Sequence, residues 1–133
     1  MPETVHADWV NEQVFLLRDR NDFPVVMTQP AGVNGADLLP LSLIGCAAWD
    51  VMAILRKQHQ PVSGLRVAAH STRDEAPPWR FRKIHVVYTL TGRGLDETHV
   101  RRAIELSENG YCAIYATLRD AVELTSEYVI INQ

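Results

Sequence analysis

The chain has 133 residues, a length that fits one domain, and 47% of them are hydrophobic against 22% charged, which excludes disorder as the main state. The net charge is −3 and the 13 basic residues are scattered, so no electrostatic footprint for nucleic acid and no polybasic membrane patch is present. No uninterrupted apolar run reaches the roughly 18–20 residues of a membrane span, and the start MPETVHADW lacks the basic and apolar regions of a secretory signal, so a cytoplasmic location is expected.

Val5, Ala7 and Trp9 alternate with polar neighbours, Val14 to Leu17 is a compact apolar run, and Phe23 to Thr28 resumes an extended pattern after the turn chemistry of Arg18 to Asp22. A strand meander is the economical reading, with a loop from Gln29 to Gly35. From Asp37 to Gln58 apolar residues cover nearly every helical face, which predicts a long helix buried all round. Asp37 is its expected N-cap, and Pro40 is tolerable because it falls in the first turn. The longest apolar stretch, Leu38 to Trp49, is interrupted by Pro40 and Ser42. A single small domain has difficulty covering such a helix, which favours a homodimer.

Leu65 to Thr72 and Phe81 to Thr91 alternate as a hairpin with one wet side, ended by Gly92-Arg93-Gly94. Asp96 is placed to cap the next helix, Val100, Ala103, Ile104 and Ser107 form its inner stripe, and Gly110 ends it. A second short helix starts near Cys112, and Val122 to Ile131 finishes as a strand. Meander, long helix, hairpin, two helices and strand make an α+β domain over residues 1–133, with a mostly antiparallel sheet packed on a long buried central helix.

Chemistry rests first on the two cysteines, the strongest nucleophiles in the chain. Cys112, at a helix start, is expected to have its thiol pKa lowered there by the helix dipole. Cys46 lies in mid-helix with Asp50 one turn on, a neighbour that opposes thiolate formation, so it needs a cation from elsewhere in the fold. Both cysteines are equally consistent with small, inert core residues. Two Cys without CxxC spacing and five unpaired His give no zinc signature. His70 and His85 read as solvated strand residues, and Gly92-x-Gly94 as a turn.

The segment GADLLPLSLIGCAAWDVMAILRKQHQPVSGLRV resembles the central helix of the OsmC/Ohr proteins, the osmotically induced and organic hydroperoxide resistance family. RDEAPPWRFRKIHVVYTLTGRGLDETHVRRAIELSENGYCAIYATL resembles that family's second half, where a second Cys opens the last helix. The similarity spans roughly residues 30–131 and is nearest to the small OsmC-like branch of unassigned function. It implies an OsmC-like fold in an intertwined homodimer with two sites at the subunit interface. It also implies that Cys46 attacks an organic hydroperoxide and that Cys112 resolves the product. Asp37 falls where the family commonly has Glu, and Arg18 or Arg20 on an N-terminal strand takes the place of the activating Arg.

The function so implied is a thiol-dependent peroxidase acting through a Cys46 sulfenate and a Cys46–Cys112 disulfide, with no metal or organic cofactor and an external dithiol reductant. Two other classes fit the same residues: a non-catalytic module that binds a small molecule, and a thiol redox sensor. Loss of thiols to peroxide, and turnover with a dithiol, separate the three.

Overall fold

A computed structural model describes residues 2–29 and 31–133. It divides the chain into two compact units, Met1–Leu39 and Pro40–Gln133.

In the first unit, strands β1 (His6–Asn11), β2 (Val14–Arg18) and β3 (Pro24–Thr28) form an antiparallel sheet in the order β1-β2-β3. The expected turn between β2 and β3 is built by Asp19, whose Oδ1 accepts the N–H groups of Asn21 at 2.9 Å and Phe23 at 2.8 Å. The unit ends in the entry to a helix: the N–H groups of Leu38 and Leu39 donate to the carbonyls of Gly35 and Ala36, each at 3.2 Å.

That helix, α1 (Leu38–Lys57), supplies the second unit with a fully buried stripe at a spacing of four residues: Leu43, Ala47, Val51 and Leu55. Within one chain, α1 is fully buried along this stripe alone. Other apolar positions face outwards, with Trp49 79% and Leu41 48% exposed. With 20 residues and a mean hydropathy of 1.9, α1 is long and apolar enough to cross a bilayer. Pro40 and Ser42 do not break it, because both lie near its start, where Pro removes no obligatory hydrogen bond. Its buried stripe is nevertheless part of a protein core.

Strands β4 (Val62–Arg73), β5 (Phe81–Gly92) and β6 (Glu123–Asn132) form the second sheet, with β5 in the middle. β4 pairs antiparallel and β6 parallel to it. The parallel pairing follows from the helical connection between β5 and β6, since parallel neighbours require a crossover of a dozen residues or more. Ile84, Val86, Tyr88 and Leu90 on one face of β5 are fully buried in one cluster with the α1 stripe. Gly92 and Gly94 end β5 for separate reasons: a Cβ on Gly92 would collide with the Pro61 carbonyl, and Gly94 has φ +77.

Helix α2 (Glu97–Leu106) is capped as expected: Asp96 Oδ1 accepts the N–H of Thr98 at 2.8 Å. Its inner residues Val100, Ala103 and Ile104 are buried, and so is Ser107. Gly110 does not end the helix. The chain widens into a π-helical turn, Ser107–Tyr111, in which the Cys112 N–H reaches back five residues to the Ser107 carbonyl at 2.8 Å. Cys112 is then extended and opens α3 (Ala113–Leu118).

Candidate active site

The π-helical turn decides where Cys112 points. Glu108, within the turn, anchors it to three elements. Its Oε2 accepts from the Tyr88 hydroxyl on β5 at 3.0 Å and from the Tyr115 hydroxyl on α3 at 3.2 Å, and its Oε1 accepts from Ser126 Oγ on β6 at 3.2 Å. Burial, with the neighbouring Glu108 carboxylate adding to it, pushes both tyrosine hydroxyls well above their ordinary range. They remain donors.

With the turn fixed, the sulfurs of Cys46 and Cys112 and a carboxylate oxygen of Asp50 lie within 4.8 Å of one another. Both thiols are free. Cys46 is half-buried on α1, whereas Cys112 is 3% exposed. Burial pushes the Cys112 thiol up to about 11, and the hydrogen bond with Cys46 adds to the rise; the N–H groups of Tyr115 and Ile114 pull weakly the other way. The expectation of a dipole-lowered Cys112 is therefore corrected. One turn of helix offers too little positive potential to offset desolvation of the thiolate. At neutral pH Cys112 carries its proton and is a donor beside Cys46.

Asp50 carries more of the site than its sequence position alone indicates. It was visible one turn from Cys46 as an unfavourable neighbour, but its approach to Cys112 follows from packing between distant segments. Ser107 Oγ donates to Asp50 Oδ2 at 3.3 Å and so ties the carboxylate to the π turn. Asp50 also lines a cavity of about 400 Å³, with Trp49, Ile54, Leu106 and Tyr111 as apolar or aromatic wall and Lys57 and Gln58 as polar wall. The cysteines do not line this cavity, so Asp50 is the group shared by the thiol pair and the open space.

Arg18, Arg20 and Asp37 belong to the first unit. Arg18 Nη1 donates to the Asp22 carbonyl at 2.8 Å, and its Nε is 3.8 Å from the Asp22 carboxylate. Arg20 pairs with Glu3. The Asp37 N–H donates to Asn34 Oδ1 at 3.1 Å. Of the expected histidines, His85 has side-chain partners: Thr125 Oγ1 at 2.7 Å and Glu127 Oε1 at 2.9 Å, both across the parallel pairing with β6.

A protein-family model described as OsmC-like protein matches residues 28–127. Protein YhfA of Escherichia coli strain K12 is 32% identical over 126 residues, which cover 92% of this chain and 94% of that protein. An OsmC-like protein from Mycoplasma pneumoniae is similar in structure, with a TM-score of 0.82 at 13% identity over 98% of each chain. The organic hydroperoxide resistance protein OhrB of Bacillus subtilis gives a TM-score of 0.59 at 16% identity, covering 97% of this chain and 98% of that one. At these identities the two solved structures establish likeness of fold alone.

Proposed function

The chain belongs to the OsmC-like protein family, and from that premise we propose that it is a two-cysteine peroxidase that reduces organic hydroperoxides. One observation carries the reading: the Cys46 and Cys112 sulfurs approach within 4.8 Å, the more buried of them protonated. The more accessible sulfur, Cys46, attacks the O–O bond of the hydroperoxide. It becomes a sulfenic acid and releases an alcohol. Cys112 then condenses with the sulfenic acid to give a disulfide and water. An external dithiol returns the pair to thiols by exchange, which suits a cytoplasmic setting. The family resemblance assigns Arg18 to stabilising the Cys46 thiolate, from the same chain or a second copy, with Asp37 in the place of the family's Glu.

Stoichiometric cumene hydroperoxide is expected to remove both thiols of the wild type, with turnover when a dithiol is supplied. Cys46→Ser should abolish the reaction. Cys112→Ser should consume about one equivalent and stop at a sulfenic acid trapped by dimedone, then over-oxidise with excess peroxide. Arg18→Ala should slow the first step, and Arg20→Ala should not. Survival of both wild-type thiols in excess peroxide would end the peroxidase reading and leave a binding module. Oxidation without dithiol turnover would leave a sensor.

A further inference from the structure

We infer that Asp50 is the proton carrier of the resolving step: its carboxylate takes the proton from the Cys112 thiol and delivers it to the oxygen leaving Cys46. The inference rests on the two-cysteine reading above and assigns that site a group the resemblance does not supply. Three observations place Asp50 there. Its carboxylate oxygen is within 4.8 Å of both sulfurs, a gap spanned by one water or a small rotation. Ser107 Oγ fixes the carboxylate by donating to its Oδ2 at 3.3 Å. The same side chain lines the cavity, so water released at the sulfurs has open space beside it.

The chemistry requires such a group. Condensation needs a nucleophilic Cys112 sulfur, yet this thiol is buried and holds its proton firmly at neutral pH. In the proposed step the S–H bond of Cys112 breaks and its proton passes to Asp50. The freed electron pair forms the S–S bond with Cys46. The Cys46 S–O bond breaks with its electrons on oxygen, and that hydroxide takes the proton from Asp50 as water. Cys112 sulfur is oxidised, the sulfenic sulfur of Cys46 is reduced, and Asp50 returns to its starting state. The ionisable groups around the carboxylate are Cys46 on its own helix, Cys112 after the π turn, and Lys57 and Tyr111 on the shared cavity wall. Glu108 is engaged by two tyrosines.

Asp50→Asn removes the base and keeps the shape. After one equivalent of cumene hydroperoxide, the variant should form the sulfenic acid at least as fast as wild type, while disulfide formation slows about tenfold or more. Its residual rate should rise with pH towards the ionisation of Cys112, a slope absent from wild type, and Asp50→Glu should recover most of the loss. A second measurement needs no peroxide. Cys46 is converted to its mixed disulfide with thionitrobenzoate, and expulsion of the coloured thiolate by Cys112 is followed. That leaving group needs no proton, so slowing in Asp50→Asn reports removal of the Cys112 proton alone. Ser107→Ala should slow the same step less. Wild-type rates and pH dependence in Asp50→Asn would overturn the inference, whatever Ser107→Ala does. Failure of the wild type with peroxide, together with slowed expulsion in Asp50→Asn, would remove the peroxidase reading and leave Asp50 as the base that takes the Cys112 proton.

Discussion

Cys112 is the residue at which burial and helix position oppose each other, and burial prevails. Its thiol is held near 11 against an ordinary value of 9.0. A thiol is neutral when protonated, so the unfolded chain releases this proton first as pH rises. Stability from the buried thiol is therefore fully present below pH 9 and is lost between about 9 and 11. Under reducing conditions, the urea midpoint of the wild type should fall more steeply over that range than that of Cys112→Ser. Parallel curves would mean that desolvation does not hold the proton. On the proposed two-cysteine reading, the same property divides the work: the accessible sulfur attacks the substrate, and the protonated one waits for a base.

At the level of elements, local chemistry made much of the second unit legible. The α2 cap needs only Asp96 and the N–H two residues on, and the alternation of β5 reports one buried face directly. The π turn had no such signature. It exists because Glu108 is bonded to β5, α3 and β6 at once, and none of those partners is local enough to announce it in Ser107–Tyr111. The same limit hid Asp50: its i+4 relation to Cys46 was readable, but its approach to Cys112 depends on the turn. The cysteine pairing itself came from family resemblance, since nothing in a separation of 66 positions prescribes contact. Glu108→Ala should test the tether. It strands two buried tyrosine hydroxyls, so stability should fall by about 1–3 kcal/mol in urea unfolding. Glu105→Ala, on the exposed side of α2, should stay within about 0.5 kcal/mol of wild type.

The whole molecule exposes more apolar surface than its two units use. Trp49 is 79% exposed on α1, Tyr111 66% exposed at the end of the π turn, and Val129 and Ile131 are 47% and 46% exposed on β6. The first unit exposes Trp9, Phe23 and Val26 in the same way. A helix as apolar as α1 with a single fully buried stripe is incomplete as a core element, and its outward apolar residues favour association in water. A second copy of the chain is the cover expected from the family resemblance. Sedimentation at micromolar concentration should give twice the chain mass of 15.0 kDa. Trp49→Glu should shift the population to single chains and lower the thermal midpoint, because a charge at this position opposes burial against a partner. A wild type that sediments as a stable single chain, with Trp49→Glu unchanged in stability, would remove the homodimer. Any cation that stabilises the Cys46 thiolate on the proposed reading would then have to come from the chain's own residues.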